Sequence, residues 1–194
     1  MMEGITMANY QINITKNGKC TLTTAEKYCD RDIEINVNVG GSGDSTRENA
    51  LLERTITSYE NGEVTVIGQY GFSYCQNLIR ANLPNVTDVQ TYAFNCCSAL
   101  TTLNLPKLVT LSAKVFTTCK ALTTIYIPAS CTTISGSSYY NSPFYLSNEN
   151  LQIYCEAASK PSGWGTYWNY YQSGVALPTT WGVTPEQYQE IING

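Results

Sequence analysis

Residues 79–100 read IRANLPNVTDVQTYAFNCCSAL and residues 101–122 read TTLNLPKLVTLSAKVFTTCKAL; the two align without a gap at a period of 22. Leu83-Pro84 falls on Leu105-Pro106, Val86 on Leu108, Val89 on Leu111, Phe94 on Phe116, Cys97 on Cys119 and Leu100 on Leu122. Upstream the frame takes in Phe72, Cys75 and Leu78. Downstream, Ile127-Pro128 continues the Leu-Pro column and Ile134 follows the Val89/Leu111 column one residue late. Phe144 and Leu151 recover the pattern after a Gly/Ser/Tyr insertion at residues 135–142. Self-similarity at a fixed period of this size is the mark of a stacked-repeat architecture.

The spacing dictates the fold. In Leu103-Asn104-Leu105 two leucines alternate with a polar residue, the period of a short strand. One such strand cannot bury its apolar side alone. Stacked on the equivalent strand of the next coil, about 4.8 Å away, it builds a parallel sheet over a continuous core. Pro84, Pro106 and Pro128 end the strands, since proline cannot donate to a ladder. The segments 90–95 and 112–117 each carry an inward Phe and are expected as a helical turn or irregular coil. The expectation is a mainly β solenoid of about four coils with short helical or irregular turns. Its internal ladder is Phe72, Phe94 and Phe116, Cys75, Cys97 and Cys119, and Leu78, Leu100 and Leu122. Evenly stacked thiols do not converge on a point, so the cysteines read as core rungs and not as metal ligands.

The run Ile67-Gly68-Gln69-Tyr70-Gly71-Phe72-Ser73-Tyr74-Cys75-Gln76-Asn77-Leu78 is echoed by Tyr92-Ala93-Phe94-Asn95-Cys96-Cys97-Ser98-Ala99-Leu100 and by Val115-Phe116-Thr117-Thr118-Cys119-Lys120-Ala121-Leu122. This pattern resembles the BspA-type leucine-rich repeat, over residues 54–181. The tail with Ile153-Tyr154-Cys155, Lys160-Pro161-Ser162-Gly163-Trp164, Trp168-Asn169 and Trp181-Gly182 is similar to that family's C-terminal cap. The resemblance implies a leucine-rich-repeat solenoid, with Trp164, Trp168 and Trp181 covering the last coil, and a bacterial or protozoan surface protein used in adhesion.

Residues 9–39 differ. Tyr10–Ile14 and Ile33–Val39 alternate as half-buried strands, and Asn17-Gly18 suggests a tight turn. Gly40-Gly41-Ser42-Gly43-Asp44-Ser45 reads as a linker. The N-terminal string is similar to a small β module of Firmicutes phage and prophage tail-associated proteins. The expected division is a β module at 1–39, a linker at 40–50, the solenoid at 51–155 and a Trp/Tyr-rich cap with a short helix at 156–194. The helix is signalled by Thr184-Pro185-Glu186.

Composition bounds the chemistry. The 194 residues include no His, which removes Ser-His and Cys-His nucleophile pairs and the usual general base at neutral pH. A net charge of −4 without Lys/Arg clusters argues against nucleic acid. No segment approaches the ~18 apolar residues of a membrane span. The opening stretch is interrupted by Asn9, Gln11, Asn13 and Lys16, so no secretory signal is expected, and synthesis in the cytoplasm with a virion or cell-surface destination is. Charged residues are only 13%, and Tyr (15) far exceeds Phe (4), giving a neutral polar surface suited to protein or cell-surface glycan.

The outward strand positions Arg80, Asn82, Thr102, Asn104, Thr124, Tyr126 and Tyr154 are therefore the candidate binding face. The expected function is a non-catalytic protein-binding or surface-recognition scaffold without cofactor or metal. The alternative is a purely structural, homo-oligomerising component of a virion or cell surface. A remote alternative is a carbohydrate-active enzyme, against which Glu149, Glu156 and Glu186 stand at irregular spacing near a cap and Trp164, Trp168, Tyr170 and Tyr171 read more simply as cap core.

Overall fold

In the computed structural model, residues 57–60, 62 and 64–193 are described in full and residues 10–14, 19–24 and 33–36 as backbone strands. The three N-terminal strands are β1 (Tyr10–Ile14), β2 (Lys19–Thr24) and β3 (Ile33–Asn36), paired antiparallel in the order β1-β2-β3. The Asn17-Gly18 turn and the Gly/Ser linker lie outside the described residues.

Each coil of the repeat contributes two short strands. In chain order they are β4 (Ser58–Glu60), β5 (Val66–Ile67), β6 (Arg80–Asn82), β7 (Asp88–Val89), β8 (Thr102–Asn104), β9 (Thr110–Leu111), β10 (Thr124–Ile127) and β11 (Thr133–Ile134). Parallel pairing gives one sheet β4-β6-β8 and a second sheet β5-β7-β9-β11. After a 3-10 turn at Tyr139–Asn141 come β12 (Gln152–Cys155), the hairpin β13 (Tyr170–Gln172) and β14 (Val175–Ala176), β15 (Thr179–Trp181) and helix α1 (Pro185–Asn193). β10, β12 and β15 form a third parallel sheet that continues the first face.

Among the described residues the first face thus has six rungs, β4, β6, β8, β10, β12 and β15, where the sequence led to an expectation of about four coils. The last two rungs break the 22-residue frame. Thr124 pairs Gln152, an offset of 28, and Ile153 pairs Thr179, an offset of 26. Loop insertions between rungs leave the stacking intact. The expected outward strand positions fall on β6, β8, β10 and β12, and the structure adds β4 before them and β15 after them.

The turns opposite the strands form no helix. Alternate residues donate to the next coil instead: Phe72 N–H to Ala93 O at 2.7 Å, Tyr74 N–H to Asn95 O at 2.7 Å, and Cys96 N–H to Thr117 O at 2.8 Å. Two columns of non-glycine residues are left-handed there. Tyr70, Tyr92 and Lys114 have φ of 62, 61 and 57°, and Tyr74, Cys96 and Thr118 have φ of 64, 60 and 62°. That conformation is costly for such residues. It recurs at the same position in successive coils because it aims the N–H groups along the stack.

The core is an aromatic spine. Ring centroids run Tyr59–Phe72 4.9 Å, Phe72–Phe94 5.2 Å, Phe94–Phe116 6.0 Å, Phe116–Phe144 5.5 Å and Phe144–Trp168 6.4 Å. Leu78, Leu100 and Leu122 are fully buried beside it. Cys75, Cys97 and Cys119 are buried free thiols; Cys97 and Cys119 each donate S–H to a carbonyl of the preceding coil, Phe72 O and Phe94 O, both at 3.0 Å.

At the C-terminal end Trp164 bridges to Ile134, and its indole N–H donates to Cys131 O at 2.9 Å. Trp168 lies 4.6 Å and Trp181 5.8 Å from Trp164. Trp164 and Trp168 are buried, and Trp181 packs on the same core. Two glycines permit this. A Cβ on Gly165 would sit 2.5 Å from the Gly136 carbonyl carbon, and one on Gly136 would sit 2.6 Å from Trp168 N.

Candidate binding face

Strand alternation decides which side chains reach the surface. Ala81, Leu103, Ile125 and Ile153 point into the core. Their neighbours, Ser58 and Glu60, Arg80 and Asn82, Thr102 and Asn104, Thr124 and Tyr126, and Gln152 and Tyr154, turn outward. All seven residues expected on a binding face therefore lie on one surface, but the surface is not uniform along the stack.

Over β4, β6 and β8 it is open. Arg80, Thr102 and Asn104 are exposed and Asn82 is half-buried. A side-chain ladder runs across the three rungs. Asn82 Nδ2–H donates to Glu60 Oε1 at 2.7 Å, and Asn104 Nδ2–H donates to Asn82 Oδ1 at 2.8 Å. A second ladder flanks it at the strand ends, with Asn85 Nδ2 donating to Gly62 O at 2.6 Å and Lys107 Nζ to Asn85 Oδ1 at 2.7 Å. Both repeat at the coil spacing, so each polar group is oriented by the coil before it. Glu60, the acceptor at the end of the first ladder, was not among the sequence candidates. Its signal was available, because Glu60, Asn82 and Asn104 are spaced by 22.

Over β10 and β12 the same surface is covered. Helix α1 lies on it, and Tyr188 is its one buried residue. The Tyr188 ring is 5.1 Å from Tyr126 and 5.5 Å from Tyr154, and its hydroxyl is hydrogen-bonded with Thr124 Oγ1 at 3.1 Å. Tyr126 O–H donates to Val183 O at 3.3 Å. Thr124, Tyr126 and Tyr154 are thus half-buried beneath a segment of their own chain. The helix start is built by a capping exchange, with Thr184 N–H to Gln187 Oε1 at 2.9 Å and Gln187 N–H to Thr184 Oγ1 at 3.3 Å.

The electrostatics of the covered half follow from this burial. Desolvation raises the Tyr126 phenol, and the neighbouring Glu156 carboxylate raises it further. Desolvation also raises Tyr188, partly offset by its bond with Thr124. Glu156 Oε2 accepts the Ala129 N–H at 2.7 Å, Glu149 is exposed, and Glu186 opens α1. Burial pushes Cys119, Cys131 and Cys155 up to about 12 and Cys97 well above its ordinary 9.0. A nucleophilic cysteine needs the opposite shift. Among the described residues no group of three or more His, Cys, Asp or Glu could hold a metal, and no helix is long and apolar enough to cross a membrane.

A family described as BspA type leucine rich repeat region matches residues 47–156, in six copies. No curated protein matches the chain. Among solved structures, the crystal structure of a leucine rich cell surface protein from Faecalibacterium prausnitzii A2-165 is similar at 18% identity and a TM-score of 0.41, over 94% of this chain and 55% of that one. The chain spans about half the length of that protein.

Proposed function

The chain belongs to the BspA-type leucine-rich-repeat family, and from that premise we propose that it is a non-catalytic scaffold that binds protein at a cell or virion surface through the open half of its strand face. The observation that carries this reading is the ladder Glu60–Asn82–Asn104 across a three-rung surface. Asn82 spends a donor on Glu60 and its acceptor on Asn104, Asn104 spends a donor on Asn82, and each amide is held in place by its neighbour. A partner therefore meets polar groups whose ordering cost is already met, which favours binding. Arg80 and Thr102 add a second column of donors beside it.

The non-catalytic part rests on chemistry as well as on family. The chain has no His, and its shifted thiols are stabilised as neutral core groups. The N-terminal strands β1–β3 fit an attachment unit that carries the recognition domain, on a phage tail or a cell surface. A purely structural, oligomerising role is the second reading, favoured by exposed Ile191 and Ile192 at the C-terminal end of the stack. A surface glycan is the alternative ligand of the first.

The test is capture from bacterial envelope fractions by the full chain and by Arg80→Ala/Thr102→Ala/Asn104→Ala, with light scattering on both. Loss of capture by a triple variant that melts like the parent is the expected result. Full capture by that variant rejects this face, and a stable oligomer that captures nothing supports the structural reading.

A further inference from the structure

Helix α1 is an unusual closing element. Of its nine residues only Tyr188 is buried. Glu186, Gln187, Gln189, Glu190, Ile191 and Ile192 are all exposed. The aromatic spine and the tryptophan cap run through the coils without it. It also fits the surface imperfectly: a shallow groove of about 550 Å³ lies against it, lined by Trp181, Gly182, Val183, Gln187, Glu190 and Ile191. An isolated helix of this length is marginal in water, so the contacts around Tyr188 are what hold it on the strands.

Those contacts describe a receptor. Tyr126 and Tyr154 stand on adjacent rungs and receive one aromatic ring between them, and Thr124 bonds the hydroxyl at its tip. The Tyr126 hydroxyl donates to the backbone carbonyl of Val183 just before the helix. A ring, its hydroxyl and a helix-entry carbonyl are thus each read by a different side chain of the strand face. We propose that the Thr124–Tyr126–Tyr154 cradle is a recognition site for a short partner helix presenting a single tyrosine-like anchor, and that α1 occupies it in cis until such a partner displaces it.

The occupant is indicated by the segment of that chemistry already seated there, on the same surface as the open ladder. Displacement would extend the exposed face from three rungs to five, since β10 and β12 continue it. Joined to the chain through Gly182, a left-handed residue with φ of 72°, α1 competes at a high effective concentration. A free helix of the same intrinsic affinity therefore binds the parent chain weakly, and binds better when the cis anchor is weakened.

The inference rests on the strand face being a binding surface, but its test uses the cradle alone. The probe is a fluorescein-labelled peptide of residues 183–193, added to the full chain and to its Tyr188→Ala variant. The expected result is a rise in anisotropy with Tyr188→Ala, at least tenfold weaker binding to the parent, and at least tenfold weaker binding of a peptide carrying the same Tyr→Ala change. Gln189→Pro, which breaks α1 at an exposed position, should also bind the peptide better than the parent. A folded Tyr188→Ala variant that binds no peptide, or equal binding by variant and parent, overturns the proposal. That outcome leaves the reading of the open β4–β8 half untouched, since Arg80, Thr102 and Asn104 take no part.

Discussion

Replacing Phe94 by Ala should cut the molecule at its middle. Phe94 is fully buried, with Phe72 stacked at 5.2 Å on one side and Phe116 at 6.0 Å on the other. Removing a buried Phe ring costs about 3–5 kcal/mol, of which each aromatic contact is about 0.5–1.5 kcal/mol. The upper half of that range applies here. The coils above and below are fixed by backbone bonds, Phe72 N–H to Ala93 O at 2.7 Å and Phe94 N–H to Val115 O at 3.1 Å, so the cavity cannot close. Against a total stability of about 5–15 kcal/mol, a loss of about 4 kcal/mol is large. Repeat proteins are coupled only through neighbouring coils, so the damage should also uncouple the two halves. All three tryptophans lie at residues 164–181, and their fluorescence reports the C-terminal end alone. In urea the variant's far-UV circular dichroism should begin to fall before its tryptophan signal, whereas the parent's two transitions coincide. A loss below about 1 kcal/mol would refute the spine as the element that joins the coils.

Three further outcomes follow from the same contacts. Gly165→Ala places a methyl 2.5 Å from the Gly136 carbonyl carbon and should cost about 2–3 kcal/mol with a red-shifted tryptophan emission, while Gly174→Ala, with no atom within 4 Å, should cost about 1 kcal/mol for its left-handed φ of 74° and leave the emission unchanged; equal spectra for both would contradict the cap geometry. Because Cys119, Cys131 and Cys155 titrate near 12 in the folded chain and near 9.0 when exposed, the folded state holds protons that the unfolded state releases. Stability should be flat in these groups below about pH 8 and fall between pH 9 and 12, by up to about 1.4 kcal/mol per pH unit for each thiol; a urea midpoint that rises from pH 8 to pH 10 would be inconsistent. Asn82→Ala removes both bonds of the ladder, yet at this half-open site it should cost under about 1.5 kcal/mol in a thermal melt while weakening envelope capture as much as the triple variant does.

The repeat frame was legible because burial enforces it: a residue facing the core every 22 positions must be apolar, and Phe72, Phe94 and Phe116 are. The strand alternation that puts Arg80, Asn82, Thr102 and Asn104 on one surface was legible for the same reason. Rung β12 was still legible through Leu151 and Tyr154, but β15 was not, since an insertion changes the spacing without disturbing the stack. The left-handed columns at Tyr74, Cys96 and Thr118 also leave no mark in the sequence, because the constraint is on the backbone and the residue types differ. The helix at 185–193 was visible from its Thr-Pro-Glu start, but its landing place was not. It is set by one anchor, Tyr188, and a single contact carries no periodicity to read. Tyr188 followed by Ile191 and Ile192 did mark one stripe of the helix as apolar, and that signal could have suggested a docking side.

Photo-crosslinking distinguishes a partner held on the open strand face from one held on the turn side. A benzophenone side chain at Thr102, exposed on the strand face, is compared with one at Tyr74, exposed on the turns, in the full chain incubated with envelope fractions. Binding through the strand face gives a discrete crosslinked product from position 102 and none from position 74. Crosslinking from position 74 alone would place the binding surface on the opposite side of the solenoid and contradict it.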